Sequence, residues 1–251
     1  MEKFWPAPFI QPPLQKGLAQ VWKIDFSSEM QPFPDIKGIR SDCWDVLNTS
    51  EKERAQRMRA GRPRDEFIIG RGYLRRLLAG VLELQPQDIV LEQGTNGKLS
   101  LAGHSYLHFN ITHSGRRILI SLSYDCEVGV DLEAEQAGIE VVDIAKSCFH
   151  PEELALLDDQ SSESARLHAF YLCWTRKEAV AKADGRGLAL ALESFSVAPV
   201  SEGEREVSVV HSDRSASLWV REINAGSGYA AAFAACKPGV RLECFDTARL
   251  G

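Results

Sequence analysis

The chain has 251 residues, 44% of them hydrophobic and 25% charged, and a formal net charge of −6. That balance suits a soluble globular protein of one large or two small domains with ample length for a core. It argues against a general nucleic-acid binder but leaves room for a local basic patch.

No apolar run reaches about 18 residues, so no membrane span is expected. The N-terminal MEKFWPAPFIQPPLQKG lacks the basic-then-apolar layout of a secretory signal. Six cysteines at 43, 126, 148, 173, 236 and 244 show no CxxC and no ligand spacing, as expected of scattered core thiols in the cytoplasm.

Residues 1–17, rich in Pro and aromatics, read as an N-terminal extension lying extended on the surface. LAQVWKIDF (18–26) alternates as a strand does. Asp42 to Arg59 is helical in character, and the Gly61–Pro63 punctuation breaks it. A second helix is expected from Arg64 to Leu84. Phe67, Gly70, Leu74, Leu77, Leu78 and Val81 form its core stripe, and Arg71, Arg75 and Arg76 supply positive charge. After IVLEQ, the turn TNGK and LSL, the segments HFNITHS and RILISLS predict a hairpin around Ser114–Gly115. EVGVDLE (127–133) predicts another strand.

The order of elements then recurs. A helix opens at His150–Pro151, and a long one follows to Ala183. SFSVAPV, SLWVREI and GYAAAFAAC are strand candidates. The expectation is an α+β fold of two similar halves, residues 18–126 and 127–251, each a small mostly antiparallel sheet packed with a long helix.

Chemistry concentrates in three places. Asp131 and Glu133 stand two apart on a strand, so their carboxylates share a face roughly 6.5–7 Å apart along the chain. On the long helix, Leu167, Phe170, Tyr171 and Trp174 form an apolar stripe that Glu178, Ala181 and Lys182 continue. Three carboxylates and a lysine in such positions suit a divalent cation holding a phosphate ester. Solvated strand ends and an i,i+4 surface pair would explain the same residues. Thr112, His113 and Ser114 make a donor-rich strand end beside Gly115, fit either for a phosphate or for an ordinary polar turn. Lys98, after Gly97, is a turn lysine or a phosphate contact. Arg54 and Arg57, one turn apart, are a solvated face or a phosphate grip.

Five segments in order resemble the larger, surfactin-synthetase-activating type of 4′-phosphopantetheinyl transferase. They are Glu51-Lys52-Glu53-Arg54, Gly97-Lys98-Leu99, Phe109-Asn110-Ile111-Thr112-His113, Gly129-Val130-Asp131-Leu132-Glu133 and Trp174 to Lys182, WTRKEAVAK. The resemblance implies a pseudo-dimer of the two halves with coenzyme A in the cleft between them. It implies transfer of phosphopantetheine to a serine of an acyl or peptidyl carrier protein. Asp131, Glu133 and Glu178 would hold Mg²⁺, or Mn²⁺ in its place. Glu178 would take the serine proton, and Lys182 would contact the diphosphate. Lys98 and His113 would meet the nucleotide end, His113 and Arg54 near the 3′-phosphate, and Thr112 would add a cofactor-binding hydroxyl. The enzyme would work as a monomer, without nucleic acid or membrane. Leu99 stands where the family has proline, and Thr112 where it has serine. The carrier's docking face would lie among the arginines of the second helix or near Leu188. Two rivals remain. One is another Mg²⁺-dependent phosphoryl or nucleotidyl transferase, although no glycine-rich phosphate loop is present. The other is a non-catalytic CoA- or carrier-binding module.

Overall fold

The computed structural model describes residues 11–26, 36–94, 96–138, 141–187, 190–199, 203–210 and 215–247. The first half runs β1 (Leu18–Asp25), α1 (Ile36–Asp45), α2 (Thr49–Arg57), α3 (Arg62–Leu82), β2 (Leu91–Gln93), β3 (Leu99–Leu101), β4 (Leu107–Ser114) and β5 (Arg117–Tyr124). The second runs β6 (Val128–Ala134), α4 (Val141–Cys148), α5 (Pro151–Asp158), α6 (Glu163–Asp184), β7 (Arg205–Val210), β8 (Ser215–Glu222), β9 (Tyr229–Ala235) and β10 (Arg241–Asp246). The fold is α+β, and its two four-stranded sheets are ordered β10-β1-β5-β4 and β6-β9-β8-β7. Among the described residues no helix is long and apolar enough to cross a membrane.

Period-two alternation builds four layers. Trp22 and Ile24 of β1 pack with Leu74 and Leu78 of α3, while Ala19 and Val21 face the other way. There they meet Val128, Val130 and Leu132 of β6 and Phe233 of β9. Ala232 and Ala234 of β9 turn from that core to Ala179, Val180 and Ala183 of α6. The order is α3, first sheet, second sheet, α6. The last described strand, β10, pairs in parallel with β1 and forms an edge of the first sheet.

Several expected elements shift. The helix from 42 to 59 is two helices, because Asn48 caps α2 and shares a capping box with Glu51. Arg75 is wholly buried rather than a surface charge, and its Nε donates to Glu51 Oε2 at 2.5 Å. The described residues of SFSVAPV, 194–199, form no strand. Lys177 Nζ donates to the carbonyls of Leu192 and Phe195, Arg176 Nε to that of Val197, and Val197 N–H to Glu153 Oε1. Side chains of α5 and α6 therefore bond backbone groups that a neighbouring strand would otherwise meet. The strands β7 and β10 and the helix α4 were not expected. Residues 1–10 of the expected extension lie outside the described residues, and so does Leu188, near which the carrier's docking face was expected. Leu14 is buried, and Lys16 bridges to Tyr124. All six cysteines are free, with Cys126 and Cys236 sulfurs 3.3 Å apart.

Gly129 sets how closely β6 approaches α6. A Cβ there would lie 2.1 Å from the Ala179 carbonyl oxygen and 2.5 Å from Ala183 N, both backbone atoms. Gly129→Ala is expected to lower stability by about 1–3 kcal/mol, as overpacking does. Denaturant melts check this.

Candidate active site

The same face of β6 that presents Gly129 to α6 also presents Asp131 and Glu133. The close crossing brings Lys182 Nζ to 2.6 Å from Asp131 Oδ1. Thr112, on the neighbouring β4, donates to the same oxygen at 3.1 Å and accepts from Lys182 at 3.2 Å. Lys182 also reaches the Val130 carbonyl at 3.3 Å. One turn back along α6, Glu178 is half-buried. Gly185, with φ of 85°, ends the helix just beyond Lys182.

The three carboxyls share an electrostatic field. Burial raises the proton affinity of all three, and Lys182 opposes it in each. Asp131 pushes both Glu133 and Glu178 further up, and Glu178 adds to the push on Glu133. Asp131 Oδ2 is buried with no hydrogen-bond partner among the described residues. An orphaned buried carboxylate oxygen is costly and calls for a cation. An all-carboxylate donor set is the chemistry of a hard divalent ion such as Mg²⁺ or Mn²⁺. The residues fit the group in kind. Among the described residues, however, no three His, Cys, Asp or Glu side chains are already gathered in a form that could hold a metal. Lys182 is the cation at Asp131.

Lys98 joins this cluster from the turn between β2 and β3. Its Nζ donates to the Lys182 carbonyl at 2.9 Å, at the negative end of α6, and to Glu127 Oε2 at 2.6 Å. Asn96 donates to the Gly185 carbonyl, docking the turn on the helix end. Burial would raise the Glu127 pKa, but hydrogen bonds from His108 and Lys98 outweigh it and hold the value at about 2. Beside this turn lies a cavity of about 240 Å³ lined by Lys98, Leu99, Phe109, Asn110, Ile111 and Lys182, among others.

Two expected site residues point elsewhere. Odd-numbered residues of β4 face away from Thr112, so His113 is exposed on the α3 side, its Nδ1 3.7 Å from Glu66 Oε2. Arg54 stacks its guanidinium 4.9 Å from the Phe67 ring, one residue further along α3. The two thus stand on adjacent residues of one helix, apart from the carboxylates. Glu127, His108 and the strand partners of β6 escaped the sequence reading. The period-two pattern of HFNITHS does put His108, Asn110, Thr112 and Ser114 on one face. Nothing local marks Glu127, whose partners are Lys98 in the turn before β3 and His108 near the start of β4.

Comparison with known proteins places the chain among relatives of one family. A family profile described as the 4′-phosphopantetheinyl transferase superfamily matches residues 127–234, the part carrying all three carboxylates and Lys182. A Synechocystis sp. relative is 35% identical over 57% of this chain and 58% of its own length. The 4′-phosphopantetheinyl transferase Sfp of Bacillus subtilis is 27% identical over 76% of this chain and 83% of its own. The 4′-phosphopantetheinyl transferase HetI of Nostoc sp. is 32% identical over 71% of this chain and 73% of its own. On the family profile and the match to HetI, the chain belongs to the 4′-phosphopantetheinyl transferase superfamily.

Proposed function

We propose that this chain transfers the 4′-phosphopantetheine arm of coenzyme A to a serine hydroxyl of an acyl or peptidyl carrier protein. The observation that carries the reading is the Asp131–Lys182–Thr112 cluster at the junction of the sheets, with Glu133 and Glu178 in the same field. Transfer of this kind needs positioning and charge neutralisation more than covalent help. Asp131, Glu133 and Glu178 are the residues that would hold Mg²⁺, which when bound supplies neutralisation of the diphosphate. Glu178 takes the proton from the serine oxygen, a role favoured by its raised proton affinity. The serine oxygen then bonds to the phosphorus that carries the pantetheine arm. The P–O bond to the adenosine 3′,5′-bisphosphate breaks, and Lys182 stabilises the charge that gathers on that leaving group. Lys98 and Thr112 serve the phosphates near the cavity, and His113 with Arg54 serves the nucleotide end. Both stand against α3, His113 beside Glu66 and Arg54 over the Phe67 ring.

The two halves, 18–126 and 127–251, are read as a pseudo-dimer following the N-terminal extension 1–17. Support comes from matching order: a strand, helices of which the last is longest, then strands, with β1 antiparallel to β5 as β6 is to β9. β10 departs from that scheme by returning to β1. A monomer in the cytoplasm, acting without nucleic acid, is the working state.

The test is incubation with CoA, Mg²⁺ and an apo carrier protein, read by mass spectrometry. A gain of one phosphopantetheine on the carrier is expected, and it disappears on chelating the metal. ATP turnover with an unchanged carrier would point to a different phosphoryl transferase.

A further inference from the structure

The two sheets meet along their edge strands, β4 and β6, which belong to different sheets. Edge strands carry outward N–H and C=O groups that must find partners. Here side chains of β4 meet two backbone N–H groups of β6 and three carboxylates on and just before it, running along both segments in the same direction. His108 Nδ1 lies 3.0 Å from Glu127 Oε1, and Asn110 Oδ1 accepts from Val130 N–H at 3.2 Å. Thr112 donates to Asp131, and Ser114 donates to Glu133 Oε2 at 2.7 Å. Ser114 does a second thing, since its oxygen also accepts the Ala134 N–H at 3.0 Å. That amide occupies the acceptor side of the hydroxyl, so its hydrogen is directed at the carboxylate. The serine is tied to the β6 backbone and to the Glu133 side chain together.

We propose that Ser114 is a positioning residue that orients Glu133 for the divalent cation. It fixes Oε2 and leaves Oε1 as the oxygen offered to the ion. Hydrogen bonds behind a metal-ligating group set its aim and its affinity. The proposal rests on the reading of Glu133 as a ligand, and the experiment separates the two.

Mn²⁺ binding to the full chain, with saturating CoA, is followed by water-proton relaxation for the wild type, Ser114→Ala, Ser114→Thr and Glu133→Gln. Ser114→Ala is expected to weaken Mn²⁺ by about tenfold, at the lower end of losses from such partners. In the transfer assay the half-saturating metal concentration rises in step, while KM for CoA holds. Ser114→Thr keeps a hydroxyl and restores Mn²⁺ binding to within about threefold of wild type. Unchanged Mn²⁺ affinity in Ser114→Ala, with Glu133→Gln weakened, overturns the positioning role and keeps the ligand. Wild-type affinity in Glu133→Gln removes the ligand and the proposal with it. Failure of the threonine variant to restore binding reduces Ser114 to packing at the hairpin end and also overturns the proposal.

Discussion

Replacing Glu178 by Gln is expected to cut transfer to the carrier by about 10²–10⁴-fold, the range for losing a positioned general base. CoA binding should stay largely intact, because Lys98, Thr112 and Lys182 are untouched. Stability separates this outcome from simple unfolding. Glu178 has its pKa raised on folding, by burial first and by Asp131 second. A carboxyl that binds its proton more tightly when folded favours the fold below the ordinary carboxylate range. That contribution is lost as pH rises through the folded value. At neutral pH the charged form is carried at a cost, so Gln should leave the melting temperature equal or higher. Transfer assays, CoA titration and melts at pH 7 together check this. A variant that keeps its activity would remove Glu178 from the reaction.

The second large effect concerns the fold beneath the site. Lys177, next to Glu178 in sequence, points the other way and is fully buried with Glu153, at 2.9 Å. The pair is bonded beyond itself. Lys177 holds the carbonyls of Leu192 and Phe195, and Glu153 accepts the N–H groups of His150 and Val197. Lys177→Met leaves a buried carboxylate without its cation and two carbonyls without a donor. The expected loss is about 3–5 kcal/mol, or on the order of 10 °C in a chain of this size. Where a buried pair stands alone, an apolar double replacement can recover its stability. Here Lys177→Met with Glu153→Met should recover only part, because four backbone groups stay orphaned. Full recovery in denaturant melts would show that the backbone bonds contribute little.

These two neighbours also show how far the residue order could be read. Gly129, Asp131 and Glu133 alternate on a strand, so their common face was legible in advance, and the half-buried Glu178 and Lys182 were legible as breaks in an apolar stripe. The hairpin of β4 and β5 followed from alternation around Gly115. SFSVAPV misled, because its buried Phe195 and Val197 look the same whether strands or side chains bond the backbone. Arg75 misled for a similar reason, since a helix position alone does not reveal the carboxylate of Glu51 waiting inside.

The residue order by itself determined the side-chain set: three carboxylates, a lysine and a hydroxyl at spacings that local periodicity turns into faces. Tertiary structure decided which faces meet. The crossing at Gly129 puts Lys182 on Asp131, the joint of two sheet edges gives Thr112 and Ser114 their carboxylates, and the alternation of β4 turns His113 toward Glu66 of α3. Periodicity acts over a few residues, whereas those pairings span 19 to 70 positions, where the packing of whole layers selects the partner.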